Sequence, residues 1–170
     1  MFGLRCGYIF MLIVSIIVIV LLIAADQFLK FFMVNNVFAE VNARDLIKFG
    51  DLDIIGLRYV ENRGAAFSSF EGARWFLIIL TIALIVGLTI WVIKDKNKNP
   101  FMVYSAAAVI AGGIGNLIDR IRLGYVIDYI EVRLFNFAIF NFADICVVLG
   151  AICLVIYVCF IDNKVEKKHG

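Results

Sequence analysis

Four long apolar runs are separated by polar segments along the chain. Cys6–Ala25, Trp75–Ile93, Pro100–Ile118 and Ile145–Ile161 carry no charged residue and run to 20, 19, 19 and 17 residues. A helix needs about 20 apolar residues, with a range of about 17–25, to cross the hydrocarbon core of a bilayer. Inside lipid the backbone must satisfy its own hydrogen bonds, so all four runs read as helices, over 7–25, 74–93, 100–118 and 144–161. What remains is too short for a large soluble domain. The pattern predicts one integral membrane domain over residues 1–170.

The polar segments have a pattern of their own. Asp26-Gln27-Phe28-Leu29-Lys30-Phe31-Phe32 is amphipathic and suited to carry the first helix to the membrane surface, with Asn35-Asn36 as the break. From Leu46 onward, short β-branched and aromatic segments are interrupted by Gly50, Gly56 and Gly64, which predicts two or three short strands. The segment from Asp128 to Ile139 also alternates and is a candidate for a further strand. Pro100 stands where the third helix begins, a position that tolerates its missing N–H. The expected fold is an all-α membrane protein: four transmembrane helices with a small β-sheet lying over the helix ends.

Charge orients this frame. Four helices put both termini and the loop Lys94–Asn99 on one side. That side holds seven basic residues (Arg5, Lys94, Lys96, Lys98, Lys164, Lys167, Lys168) against Asp95, Asp162 and Glu166. The loops Asp26–Arg74 and Asp119–Asp144 together hold nine basic and eleven acidic residues. The excess of Lys and Arg marks the cytoplasmic side, so the sheet and the acidic loops are expected outside. A cleavable secretory signal is the competing reading of the first run. The run is longer than the usual h-region of about 7–15 residues, and Ile23-Ala24-Ala25 matches a cleavage site poorly, which favours a retained helix. Cys146, Cys153 and Cys159 lie in the last run and behave there as small hydrophobes. The only histidine, His169, sits in a charged tail, so a His-based metal site has no ligands. No metal, organic cofactor or nucleic acid is expected.

The chemistry concentrates between Gly112 and Ile145, where Asn116, Asp119, Arg120, Asp128, Asn141 and Asp144 stand between two apolar runs. An ionisable residue at the centre of a membrane helix costs about 2.5–3.5 kcal/mol, so such groups mark a use. If the chain between Asp128 and Asp144 folds back, the two carboxylates meet at the membrane boundary. Carboxylates that close share a proton: one takes a proton from water and the other donates to a carbonyl oxygen. That pair can hydrolyse an amide without a covalent intermediate. The structural alternative is that each caps a helix or pairs with Arg120, Arg122 or Arg133. Asn116, Asp119 and Arg120 fall at helical spacing. Gly112, Gly113 and Gly115 permit close helix packing. Asp26 and Lys30 form an i,i+4 pair, which on a helix surface is unremarkable, and Asn62 occupies a turn beside Gly64.

Taken in order, DQFLK (Asp26–Lys30), ENRGAAF (Glu61–Phe67), GNLIDR (Gly115–Arg120), VIDY (Val126–Tyr129) and FNFAD (Phe140–Asp144) resemble the lipoprotein signal peptidases, or signal peptidase II, over essentially the whole chain. The resemblance implies a bacterial inner-membrane aspartyl endopeptidase. Such an enzyme removes the signal peptide from prolipoproteins just before a cysteine that carries a diacylglyceryl thioether. By the matching motifs, Asp128 and Asp144 are the catalytic pair, oriented by Asn116 and Asn141. Asn62 and Arg120 bind substrate main chain, Asp26 and Lys30 shape the site from the first helix, and Asp119 supports Arg120. The implied partners are diacylglyceryl prolipoproteins, membrane lipid and cyclic lipopeptide inhibitors. One departure is visible: where family members often carry a small hydroxyl residue after the last Asp, this chain has Ile145.

A different class remains: a non-enzymatic four-helix protein, either a proton- or ion-coupled transport subunit or an assembly factor. Proton relays also use membrane carboxylates. The candidate carboxylates lie at helix ends rather than mid-helix, which disfavours a conduction path.

Overall fold

The computed structural model describes residues 2–39, 43–49, 52–64, 72–94, 99–135 and 137–162. Most of the 94–99 loop and the basic C-terminal tail lie outside these residues. Four helices form the body: α1 (Phe2–Phe32), α2 (Arg74–Lys94), α3 (Pro100–Arg122) and α4 (Phe142–Ile156). All four elements are long and apolar enough to cross a membrane, α4 by continuing into the π-helical turn Tyr157–Asp162.

The helices overrun the charge-free runs at their polar ends. α3 continues past Ile118 through Arg122, so Asp119 and Arg120 occupy its last turn and a half. α1 continues past Ala25 to Phe32 and then winds into a π turn, Met33–Val37. Asn35 and Asn36 were expected to break the helix. Instead their amides donate to the carbonyls of Phe31 and Phe32, four residues back, and help hold the wider turn. α3 starts where Pro100 predicts, with Asn99 Oδ1 accepting the Phe101 N–H at 2.9 Å.

α3 is the central helix and touches α1, α2 and α4. It is the most buried of the four because small residues line it. A Cβ on Gly112 would strike the Ala143 carbonyl of α4, and one on Gly115 would lie 2.6 Å from Asp26 Oδ2 of α1. The glycines therefore set how closely three helices meet. One end of the bundle is closed by an apolar cluster of Met11, Val92, Met102, Val103, Ala106 and Tyr157.

The other end carries the sheet. Strands β1 (Ala43–Phe49), β2 (Leu52–Asn62) and β3 (Val126–Val132) form an antiparallel sheet in the order β1-β2-β3. Gly56 does not interrupt β2. The Arg133 guanidinium lies over it where a side chain would stand, the close approach that a glycine inside a strand often marks. Leu57, Ile127 and Tyr129 of the sheet bury against Phe38, with Leu29, Met33, Val34 and Val37 of the α1 extension packed around them. After β3 the chain turns back, and Phe140 bridges Ile130 antiparallel before α4 begins. This return brings the start of α4 beside β3.

Candidate active site

The first turn of α4 is the foundation of the site. The first N–H groups of a helix lack intrahelical partners. Here they find partners from α1, from β3 and from the N-cap residue Asn141, whose carbonyl also takes the first bond of the helix itself. The Phe142 N–H donates to Tyr129 Oη at 3.3 Å, Ala143 to Asp26 Oδ1 at 3.1 Å, Asp144 to Asn141 Oδ1 at 3.0 Å and Ile145 to the Asn141 carbonyl at 3.3 Å. Asp144 Oδ2 in turn accepts the Asn141 N–H at 3.1 Å, closing a capping box. α1, β3 and the α4 cap thus fix the backbone that carries Asp144.

Asp128 comes from β3. Its Oδ1 accepts Asn141 Nδ2 at 2.7 Å and its Oδ2 accepts Asn62 Nδ2 at 2.8 Å. Val126 pairs with Asn62 and Asp128 with Val60, so Asn62 and Asp128 are diagonal neighbours on one face of the sheet. Asn116 of α3 donates Nδ2 to Asp144 Oδ1 at 2.7 Å. The carboxylates therefore flank Asn141, which gives its side chain to Asp128 and its backbone N–H to Asp144. Burial, then the neighbouring Asp144, pushes the Asp128 carboxyl up to about 7.

Each asparagine is held by its own oxygen. Asn62 Oδ1 accepts the Gly64 N–H at 2.9 Å, Asn141 Oδ1 accepts the Asp144 N–H, and Asn116 Oδ1 accepts Lys30 Nζ at 3.1 Å. With the oxygens occupied by donors, all three NH₂ groups face the carboxylates.

A cavity of about 500 Å³ opens onto this arrangement. Asp128, Asp144, Asn62, Asn116 and Arg120 supply its polar part, with Arg120 Nη2 donating to the Gly64 carbonyl at 3.1 Å. The rest of the wall is apolar: the return segment Phe137–Phe140 and, from α4, Ile145, Val147, Val148 and Leu149. Ile145 thus places a hydrocarbon beside Asp144.

The remaining sequence-predicted residues lie behind the cavity. Lys30 is buried and ion-paired with Asp26 Oδ2 at 2.9 Å and Asp119 Oδ2 at 2.8 Å, so the Asp26–Lys30 pair is an interior one, not a surface one. Asp119 was expected to support Arg120. Its carboxylate is bonded to Lys30, to Gln27 Nε2 at 3.1 Å and to the Ile127 N–H at 3.3 Å, and it acts on Arg120 through its charge. The alternative in which Asp144 serves as a helix cap also holds, since its Oδ2 closes the capping box while its Oδ1 lies toward Asn116.

Three residues with a part in the site escaped the sequence reading. Gln27 Nε2 reaches Asp26, Asp119 and the Gly115 carbonyl, and Tyr129 Oη caps α4. Arg74 closes the end of α3, donating to the carbonyls of Arg120 at 2.7 Å and Ile121 at 2.9 Å. Gln27 and Tyr129 fall inside the DQFLK and VIDY motifs and were readable there as motif members. Arg74, at a helix start far from α3 in sequence, gave no signal.

Residues 17–160 match the family model described as signal peptidase (SPase) II. The lipoprotein signal peptidase of Streptococcus agalactiae serotype Ia is 40% identical over 140 residues, covering 82% of this chain and 88% of its own. That of Clostridioides difficile is 38% identical over 150 residues, covering 88% and 97%. A solved bacterial membrane enzyme, 29% identical, superimposes with a TM-score of 0.77 over 85% of this chain and 87% of that one.

Proposed function

The chain belongs to the signal peptidase II family, and with that as premise we propose that Asp128 and Asp144 are the catalytic pair of a membrane aspartic endopeptidase. Like its relatives, the protein removes signal peptides from prolipoproteins. One observation carries the assignment of the pair: both carboxylates line one cavity and are bridged through Asn141.

The chemistry follows from the surroundings. The carboxylates share one proton, and the raised Asp128 supports placing that proton on it near neutrality. Asp144 lies at the N-terminus of α4, where negative charge is favoured. The ionised member takes a proton from water as it attacks the scissile carbonyl, and the protonated member gives its proton to that carbonyl's oxygen. On collapse the base passes the proton it took to the leaving amine, and a hydroxyl of the tetrahedral intermediate returns its proton to the other carboxylate. Arg120 and Asn62, at the cavity wall, hold substrate main chain. No covalent intermediate forms.

The substrate is a prolipoprotein whose cysteine already carries diacylglycerol, cut just before that cysteine. The apolar half of the cavity, from Phe137 to Leu149, continues onto the exposed Val148, Leu149 and Ile152 of α4. Acyl chains and the signal helix reach the pair sideways, from the outer leaflet, along this face. Each buried CH₂ contributes about 0.8 kcal/mol. A cyclic lipopeptide of similar shape occupies the same cavity. The site faces outward and the termini face the cytoplasm, as the Lys and Arg bias requires.

The test is cleavage of a diacylglyceryl prolipoprotein peptide by the purified protein. Asp128→Asn and Asp144→Asn should each abolish cleavage and leave the protein folded, because Asn keeps the shape without a base or an acid. Near wild-type turnover in either variant would reject the pair.

A further inference from the structure

Lys30 gives its three ammonium hydrogens to three oxygens, and only two belong to carboxylates. Asp26 and Asp119 account for its charge; the third oxygen is the neutral Oδ1 of Asn116, at 3.1 Å. An ammonium has donors and no acceptor, so whatever faces it must be an oxygen. Asn116 is thereby denied a flipped orientation, and its NH₂ group faces Asp144 Oδ1 at 2.7 Å.

Lys30 is the decisive pin on this amide. Asn141 Nδ2 also approaches Asn116 Oδ1, at 3.1 Å, but it has two hydrogens for three acceptors. One hydrogen goes to Asp128 at 2.7 Å, and the other is divided between Asn116 and the Ile127 carbonyl at 3.3 Å. Asn62 and Asn141 are held by backbone N–H groups, which no side-chain change removes. Asn116 alone is held by a side-chain charge.

We infer that Lys30 is a positioning residue for Asp144: through Asn116 it keeps an N–H donor on that carboxylate and so holds it ready to accept a proton. The inference rests on the reading of Asp128 and Asp144 as the catalytic pair. Without the ammonium, the Asn116 amide can turn its oxygen toward Asp144. Two oxygens face each other only if a proton lies between them, so the flipped amide favours protonated Asp144, which is no base. Among the described residues, Asp128 and Tyr129 on β3 and Arg120 on α3 act on Asp144 directly, Asp26 on α1 bonds the neighbouring Ala143 N–H, and Lys30 on α1, paired with Asp119 on α3, lies behind Asn116. Of these, Lys30 reaches it through a hydrogen-bonded amide.

The test is the pH profile of kcat for the full chain on a diacylglyceryl prolipoprotein peptide. Lys30→Met/Asp119→Asn removes one positive and one negative charge, so the net charge of the buried cluster is unchanged. Asn116→Ala removes the intermediary and leaves Lys30 with both carboxylates. Each should move the acid limb of kcat up by about one pH unit, the size expected for losing one good hydrogen bond to a charged group. The variant combining all three substitutions should shift no further. An acid limb that stays in place while kcat falls equally at every pH overturns the inference, as do additive shifts in the combined variant. If the Lys30 variant does not fold, Asn116→Ala decides: an unmoved limb overturns the inference and a raised one supports it. Cleavage by Asp144→Asn would overturn the catalytic pair itself, a separate outcome.

Discussion

Asp26 Oδ1 accepts the Ala143 N–H at 3.1 Å, so a carboxylate of the first transmembrane helix caps the helix that carries Asp144. The residues are 117 apart in sequence. Asp26→Ala leaves a buried N–H unpaired, a cost of about 1–3 kcal/mol, and takes a partner from Lys30. Asp26→Asn keeps an oxygen for the cap. Thermal unfolding in detergent should therefore show a larger loss for Ala than for Asn, and turnover should follow the same order. Equal losses would assign the residue's importance to its charge and not to the cap.

Gly115 makes that contact possible. A Cβ there would lie 2.6 Å from Asp26 Oδ2, whereas at Gly113 the nearest atoms are 3.5 Å away, on Ile85. Alanine is the better helix former by about 1 kcal/mol. Gly113→Ala should thus be neutral or slightly stabilising, and Gly115→Ala should lower both stability and turnover. Unfolding temperatures of the two variants, measured side by side, check the contrast.

The four spans were legible because lipid imposes a length on apolar runs, and the third helix start because Pro100 and Asn99 carry local capping chemistry. The helix ends were less so. The amphipathic segment Asp26–Phe32 signalled that α1 runs on past its apolar run. Charge-free counting stops at Ile118, yet α3 continues, because Asp119 is neutralised by Lys30, a partner that a linear reading cannot pair. The same limit made the Asp26–Lys30 spacing look like a surface pair. Asn62, Asn116, Asn141, Asp128 and Asp144 were identified through ordered motifs. What the motifs could not carry was connectivity: which amide faces which carboxylate depends on the Gly64 and Asp144 N–H groups and on Lys30.

The carboxyl of Asp128 is pushed up to about 7 from an ordinary 3.8, first by burial and then by Asp144. Between those values the folded protein holds a proton that the unfolded chain has lost. Stability from this group therefore falls as pH rises through that window and is lowest above it. Asp128→Asn should be stabilising relative to wild type at pH 8, with the difference shrinking toward pH 4. Cleavage should show an alkaline limb near pH 7, where the acid loses its proton, and an acid limb where the base gains one. A flat kcat/KM profile would count against a shared proton.

Substrate lipidation should matter for position as well as affinity. The cavity wall from Phe137 to Leu149 offers hydrocarbon next to the carboxylates, and its far side is exposed along α4. A prolipoprotein peptide with an unmodified cysteine should be cut far more slowly than its diacylglyceryl form in the same detergent. A polar residue in the wall, Val148→Ser for example, should narrow the difference by slowing the lipidated form alone. Equal rates on both peptides would show that the wall does not read acyl chains.

Topology follows from which end of the bundle holds the site. Asp26, Asn116, Asp119 and Asp144 all lie at the helix ends nearest the sheet, opposite the end where α2 gives way to α3. The loop between α2 and α3 carries Lys94, Lys96 and Lys98, and the positive-inside rule predicts it on the cytoplasmic side. In a background with the native cysteines replaced, Leu123→Cys at the exposed end of α3 should react with an impermeant thiol reagent in intact cells. Asn97→Cys should react only after permeabilisation. A substrate exported with its lipid on the outer leaflet meets the Asp128–Asp144 cavity only in this orientation. Reaction of Asn97→Cys from outside would turn the bundle over, remove the carboxylates from the leaflet that presents the lipidated cysteine, and leave the pair without a route to its substrate.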